Sequence, residues 1–221
     1  MKPIAVFVLT VLLLTSCNSL SKQEAEASTN DRIELVPEPD KGERLKYEAI
    51  QKLKKLDCAF VVPDTSLSGI AIRNSESATK IIGDKNQIDS IGEHYHFYTK
   101  FDRETLTLTK HPGDFKNQIS IFKIEYSDKA DHGYKQLPID TLMTEKGIKL
   151  GLTKEEIIEK LGTCYAILDS SRDYIELYYR IELPNDSRTS LLARHHMPIY
   201  YASYKLWNHR LEKFEFGFEY P

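Results

Sequence analysis

The sequence predicts an α+β fold built from two tandem repeats, each a short helix followed by antiparallel strands. When the chain is compared with itself, residues 69–83 align with residues 147–162 with one gap. Both segments open with a short apolar stretch, carry acidic residues early in a two-turn helix and end at a glycine. After each segment, apolar and polar side chains alternate, which is typical of half-buried antiparallel strands. We therefore expect one repeat in residues 58–130 and a second in residues 131–221.

The helix boundaries follow from capping signals. Thr153 stands three residues before Glu156, the spacing of a capping box, so the second helix begins there. In the first repeat we expect Ser75 to cap the helix, because serine oxygens accept hydrogen bonds from the first-turn N–H groups. Gly162 supplies the left-handed position that closes the second helix. Ahead of both repeats, residues 43–57 carry leucine and alanine at helical spacing, which predicts an amphipathic helix.

Alternation along the predicted strands also predicts a surface. Apolar side chains share one parity within residues 95–101, 122–126, 175–183 and 214–220, and we expect that parity to face the core. Side chains of the opposite parity then line the other face of the sheet. They are His94, His96, Tyr98, Tyr174, Glu176, Tyr178, Arg180, Tyr201, Ser203, Lys205 and Trp207.

This set of side chains predicts a binding surface for another protein. Tyr, Trp and Arg bury a large area with few rotatable bonds and keep a polar group, so they dominate protein interfaces. The alternative is that the tyrosines are strand-forming residues at half-buried positions with no role in binding.

The N-terminus predicts export and lipid attachment. Lys2 precedes an apolar run that ends at Leu14, which is too short to span a bilayer and is typical of a secretory signal. Leu-Thr-Ser-Cys at residues 14–17 resembles the lipobox of bacterial lipoproteins. The resemblance implies that residues 1–16 are removed as a signal peptide and that Cys17 is acylated. Each buried methylene would then contribute about 0.8 kcal/mol to membrane binding. The alternative is an ordinary signal peptide with a chance cysteine.

The residues after Cys17 bear on the compartment. Asn18, rather than Asp, favours the outer membrane by similarity to lipoproteins of double-membraned bacteria. Residues 21–26 resemble the acidic export tags of Bacteroidetes surface lipoproteins, although a solvated linker has the same composition. We expect an outer-membrane lipoprotein on the periplasmic face or at the cell surface. Residues 17–42 are then the lipidated cysteine and a polar, proline-containing tether.

Two further cysteines leave a choice open. An oxidising compartment permits Cys58 and Cys164 to form a disulfide, which would close a loop of about a hundred residues. The alternative is two buried thiols that act as small apolar side chains.

The second helical segment resembles the helix-opening motif of the β-lactamase-inhibitor-protein-like fold, which the SmpA/OmlA-type lipoproteins of outer-membrane barrel assembly share. The resemblance lies on residues 147–153, followed by Glu156-Ile157 and Leu161-Gly162. It implies that each repeat is a helical hairpin followed by an antiparallel sheet, and that the joined sheets offer a concave face to a partner. The first segment departs from the pattern at Arg73 and Asn74.

Other function classes find little support. A net charge of −3 with scattered Lys and Arg gives no reason to expect nucleic acid as a partner. His94 with His96, and His195 with His196, have no carboxylate or thiolate at ligand spacing, so we expect no metal site. Nucleophile-elbow, phosphate-loop and dinucleotide motifs are absent from the sequence, so we expect no cofactor and no enzymatic activity.

The sequence therefore predicts a membrane-tethered, non-enzymatic module that binds a periplasmic, outer-membrane or surface protein. One alternative is an accessory factor in envelope assembly. The other is a metal-binding or hydrolytic protein.

Overall fold

A single eight-stranded sheet dominates the computed structural model, which describes residues 40–83, 94–101, 103–127, 134–183 and 189–220. The predicted signal peptide, Cys17 and the predicted tether up to residue 39 lie outside the described residues. The helices are α1 (Lys41–Leu53), α2 (Ser75–Ile82), α3 (Lys154–Leu161) and α4 (Leu191–His195). The strands are β1 (Ser66–Leu67), β2 (Ile70–Ala71), β3 (His94–Tyr98), β4 (Glu104–Thr109), β5 (Ile121–Tyr126), β6 (Lys135–Gln136), β7 (Ala166–Ser170), β8 (Tyr174–Glu182), β9 (Ile199–Trp207) and β10 (Arg210–Glu219).

The order of the strands joins two antiparallel meanders. The sheet runs β6-β3-β4-β5-β10-β9-β8-β7, so β5 pairs with β10 at the point where the meanders meet. Short β6 pairs with β3 in parallel and makes the sheet mixed. The chain combines a few helices with one large mixed sheet in which most neighbouring strands are antiparallel, so the predicted α+β class is confirmed.

The two meanders approach most closely at Gly217. A Cβ atom on this residue would lie 2.2 Å from the carbonyl oxygen of Ser120 and 2.7 Å from the Cα of Ile121. The same carbonyl of Ser120 accepts a hydrogen bond from the Phe218 N–H at 3.0 Å. A glycine is therefore required for β10 to pair with β5 at this position.

Helices α2 and α3 begin and end in the same way. Thr153 caps α3 in the predicted capping box with Glu156. The predicted cap of α2 at Ser75 is wrong, because the side chain of Asn74 accepts the hydrogen bond from the Ser77 N–H at 2.9 Å. Each helix has eight residues and ends at a glycine with a positive φ angle.

The residue that leads into each helix region makes the same contact with the sheet. Arg73 and Gly151 both have positive φ angles. The N–H of Arg73 donates to the carbonyl of Ile119, next to β5, and the N–H of Gly151 donates to that of Leu211 in β10, each at 2.7 Å. In the described part of the chain, α2 and α3 are each preceded and followed by a strand rather than by another helix. The structure therefore does not support the helical hairpins that the resemblance implied.

One face of the sheet is covered by the main hydrophobic core. Apolar side chains from α2, α3 and α4 pack there against alternate residues of the strands. The largest fully buried side chains are Tyr179, Tyr200, Tyr204, Phe97, Phe122, Phe214, Phe216 and Phe218. The parity that the sequence assigned to the core in β8 and β10 therefore faces these helices.

Helix α1 lies on the opposite face and belongs to a separate small cluster. Ala49 is fully buried against Ala166 and Tyr178, with Ile50 and Leu53 at the edge. The helix spans Lys41–Leu53 rather than residues 43–57, since Asp40 caps it by accepting the N–H of Glu43. Leu56, which follows it, is 42% exposed.

A disulfide ties the end of this helix region to the rest of the chain. The sulfur atoms of Cys58 and Cys164 are bonded, and their Cα atoms are 5.7 Å apart. Cys164 lies between α3 and β7, so the bond holds the segment after α1 beside the edge of the sheet. Among the residues described, no helix combines the length and apolar character needed to cross a membrane.

Candidate functional site

Strand pairing brings the predicted surface residues onto one face, which we call the open face: the side of the sheet opposite the main core. Directly paired residues of neighbouring strands share a face, so the pairing register defines rows across the sheet. The rows are Tyr174 with Trp207; Glu176, Lys205, Lys213, Glu125, Thr105 and Tyr98; Tyr178, Ser203, Glu215, Lys123, Thr107 and His96; and Arg180, Tyr201, Gly217, Ile121, Thr109 and His94.

The predicted residues do not form a single cluster within these rows. Five strand spacings separate β3 from β8, which corresponds to about 24 Å. His94, His96 and Tyr98 therefore lie at one side of the open face, and the residues of β8 and β9 lie at the other. The strands between them are β4, β5 and β10.

The histidines of β3 are held by the neighbouring strand. Nδ1 of His94 lies 2.9 Å from Oγ1 of Thr109, and Nδ1 of His96 lies 3.1 Å from Oγ1 of Thr107. The ring of Tyr134 stacks on His96 with centroids 4.5 Å apart and also contacts Tyr98 at 5.0 Å. This end of the open face is therefore covered in part by the protein's own Tyr134.

Glu176 organises the polar side chains between β8 and β9. This residue is 5% exposed, and its carboxylate accepts hydrogen bonds from Tyr174 at 2.6 Å and from Ser203 at 2.5 Å. The Nζ atom of Lys205 lies 3.2 Å from the same carboxylate. Burial and the bond to Glu176 raise the pKa of Tyr174 well above its usual value, so its hydroxyl remains a donor at physiological pH.

Helix α1 covers Tyr178 and much of Tyr201. Burial raises the pKa of Tyr178 to about 12, although Arg180 opposes the shift. Burial together with Glu215, which accepts a short hydrogen bond from its hydroxyl, raises the pKa of Tyr201. Both phenols stay neutral at physiological pH. The side chains of Tyr178 and Tyr201 therefore already contact α1 or residues beside it and are not free to meet a partner.

Arg180 lies at the centre of a charge network that reaches α1. Its guanidinium contacts Glu182 at 3.0 Å and Glu219 at 2.6 Å. Lys46 of α1 contacts Glu219 at 2.6 Å, and Lys54 contacts Glu182 at 3.3 Å. Burial alone would raise the pKa of Glu219, but the bonds from Lys46 and Arg180 hold it below its usual value.

Sequence reasoning missed the charged centre of the open face. On β5 and β10, Lys123 and Lys213 contact Glu125 at 2.8 and 3.1 Å. Lys213 also stands opposite Lys205 in the pairing of β9 with β10. The alternation of apolar and polar residues placed these side chains on the correct face of the sheet. Only the strand order β5-β10-β9, which the sequence did not predict, brings them together. The centre of the face is therefore an array of paired opposite charges.

An aromatic pair of one exposed and one partly exposed side chain lies beside this array. Trp207, the single tryptophan of the chain, is 48% exposed, and its ring centroid lies 6.1 Å from that of Tyr174. Asn208 and His209 form the tight turn that places Trp207 at the end of β9. Of the predicted surface residues, Trp207 and His94 are the most exposed.

A cleft of about 380 Å³ lies between α1 and the sheet. Its walls include Lys46, Tyr178, Tyr201, Ser203, Lys205 and Glu215. These polar groups already have partners within the protein: Tyr201 bonds to Glu215, and Ser203 and Lys205 bond to Glu176. Among the described residues, no group of three or more His, Cys, Asp or Glu side chains is placed to hold a metal ion.

Comparison of the chain with family models, with curated proteins and with solved structures finds no match.

Proposed function

We propose that this chain is an extracytoplasmic lipoprotein, anchored by acylated Cys17, that binds another protein on the open face without catalysing a reaction. The observation that supports the proposal most is the aromatic pair of exposed Trp207 and partly exposed Tyr174 at the border of a charge-balanced array. An exposed aromatic anchor surrounded by polar groups is the usual composition of a protein interface.

The proposal narrows the contact region that the sequence predicted. Tyr178 and Arg180 are occupied by α1 and its charge network, and His96 and Tyr98 lie beside Tyr134. The partner would contact Trp207, Tyr174 and the lysine and glutamate side chains of β5, β9 and β10. Because that array carries both signs in close pairs, we expect a partner surface of mixed charge.

We infer that the fold is a tandem duplication of the kind found in the β-lactamase-inhibitor-protein-like fold. The inference is supported by the matching ends of α2 and α3 and by the equivalent contacts of Arg73 and Gly151. The last strand of each half, β5 or β10, makes the junction. Joining two units through equivalent strands yields one wide sheet with one face left for a partner.

Photo-crosslinking in living cells tests the proposed function. p-Benzoylphenylalanine in place of Trp207 should give a discrete adduct of higher mass on illumination. The matched control is the same photoreactive residue in place of Glu159, an exposed position on α3, which packs on the core side of the sheet. An adduct from position 159 but not from position 207 would place the interface elsewhere and refute the proposal.

The same strains test the anchor and the kind of partner. Cys17→Ser should abolish incorporation of radiolabelled palmitate and release the protein from the membrane fraction. An adduct that contains an outer-membrane barrel or a component of its assembly machinery would favour the role in envelope assembly. Retention of the palmitate label by Cys17→Ser would contradict the proposed site of lipidation.

A further inference from the structure

The contact between α1 and the open face is small. Ala49 is fully buried, whereas Leu45, Ile50 and Leu53 are only partly covered, and Tyr47 on the outer side is 64% exposed. Beneath the helix lie Ala166, Leu168, Tyr178 and Tyr201, which we call the α1 strip. A helix with so little buried apolar surface belongs to the least stable part of a fold.

Charge complementarity completes the contact. Three lysines of the α1 region face three carboxylates around the α1 strip: Lys41 pairs with Asp169 at 3.6 Å, Lys46 with Glu219 at 2.6 Å and Lys54 with Glu182 at 3.3 Å. The lysine side chains are 38–73% exposed, so each pair stabilises the contact weakly and is screened by salt. The α1 strip is therefore an aromatic surface with an acidic rim.

The covalent structure would keep α1 nearby if it left the α1 strip. Residues 54–57, between the end of α1 and Cys58, are exposed. The disulfide to Cys164 fixes the chain immediately after them. Undocking of α1 would therefore need a change of backbone conformation only in residues 54–57. The tethered helix would then dock again quickly, because it stays close to the α1 strip.

We propose that the α1 strip is a second docking surface, which receives a lysine-rich amphipathic helix of the partner protein in exchange for α1. The proposal rests on the proposed function and names the chemistry of the partner. The expected features of the partner helix are those of α1, which now covers the strip. They are a small side chain at the centre of the contact and cations that face Asp169, Glu182 and Glu219. Because α1 competes for the strip, a partner helix can bind only the molecules in which α1 is undocked. Its apparent affinity is the intrinsic affinity multiplied by the fraction of undocked molecules.

A fluorescent peptide with the sequence of residues 40–54 tests this inference against the purified full chain. Ala49→Asp places a carboxylate against Tyr178 and should release α1, so that the peptide binds this variant about tenfold or more tightly than the wild type. Lys46→Glu replaces the ion pair with Glu219 by repulsion between two carboxylates and leaves the buried apolar contact unchanged. It should therefore also release α1 and increase peptide binding. Tyr47→Asp, on the outer side of α1, is the matched control and should bind like the wild type.

The outcomes separate this inference from the proposed function. If Ala49→Asp and Lys46→Glu still unfold in one cooperative transition yet bind the peptide no better than the wild type, the α1 strip does not exchange its helix and the inference is overturned. An adduct at position 207 would in that case still support the proposed function, because Trp207 lies outside the α1 strip. A peptide carrying Ala49→Asp should not bind any variant, and its binding would also count against the inference.

Discussion

Asp64 is a buried carboxyl group whose ionisation opposes folding. Its side chain is fully buried, and Oδ2 accepts a hydrogen bond from Tyr204 at 3.2 Å while Oδ1 has no hydrogen-bond partner. The backbone carbonyl of Asp64 accepts a bond from Tyr200 at 2.6 Å. Burial, reinforced by the nearby charge of Glu145, raises the pKa of Asp64 to about 7, although Thr144 and Tyr204 oppose the shift.

The raised pKa predicts a loss of stability as pH increases. Below the unfolded value of 3.8, the carboxyl is protonated in both states and carries no penalty. Between that value and about 7 only the unfolded chain releases the proton, so the free energy of unfolding falls with pH and then levels off. Asp64→Asn should remove this loss, which is at most about 4 kcal/mol between pH 4 and pH 8.

Urea denaturation of wild type and Asp64→Asn at several pH values measures the effect. The control is Asp57→Asn at an exposed position, which should leave the profile unchanged. A stability difference between wild type and Asp64→Asn that does not vary with pH would show that Asp64 is not ionising in this range. No sequence pattern singled out Asp64, because its environment is made by two tyrosines about 140 positions away in the chain.

The elements show which local signals determine structure. Thr153 and Glu156 supply both halves of a capping box, so the start of α3 followed from the sequence. At the start of α2, Asn74 and Ser75 are both good capping residues, and only the backbone geometry selects Asn74. The chain reaches that geometry through Arg73, whose side chain pairs with Asp114 at 2.6 Å. A contact so distant in the sequence leaves no local signal.

The junction of β5 and β10 predicts a sensitive position. Gly217→Ala would place a methyl group against the backbone of Ser120 and Ile121, so the two strands must separate. Overpacking of this kind costs roughly 1–3 kcal/mol, and here backbone rather than a flexible side chain must move. We expect the midpoint of urea unfolding to fall accordingly.

A second glycine provides the control for this prediction. Gly42 lies in α1, where an added Cβ would meet only the carboxylate of Asp40, at 3.2 Å. Alanine is favoured over glycine in helices, so Gly42→Ala should be neutral or stabilising. Equal stability of Gly217→Ala and wild type would contradict the close approach of β5 and β10.

At the scale of the whole molecule, the sequence predicted β3, β5, β8, β9 and β10 and the face that most of their side chains occupy. It predicted neither β4 nor β7, nor what covers the open face. Tyr178 and Trp207 lie on the same face of the sheet, yet Tyr178 is buried under α1 and Trp207 is exposed. A period-two pattern is the same whether a helix or solvent lies above a tyrosine. Which side chains α1 buries depends on where the disulfide and the charge network hold this helix. Both connect residues that are far apart in the sequence, so no local pattern predicts them.

The disulfide also contributes to the stability of the whole molecule. Cys58 and Cys164 are 106 positions apart, and closing a loop of this size in the unfolded chain stabilises the fold by about 4–5 kcal/mol in the chain-entropy model. It therefore allows a weakly packed α1 to remain beside a stable sheet.

Hydrogen–deuterium exchange of the purified chain, resolved by peptide mass spectrometry, tests most directly whether α1 is a removable cover on the open face. We expect the amides of α1 to exchange about tenfold or more faster than those of β9, and the exchange of α1 alone to accelerate in Lys46→Glu. Exchange of α1 and β9 at one common rate, through unfolding of the whole protein, would contradict the account.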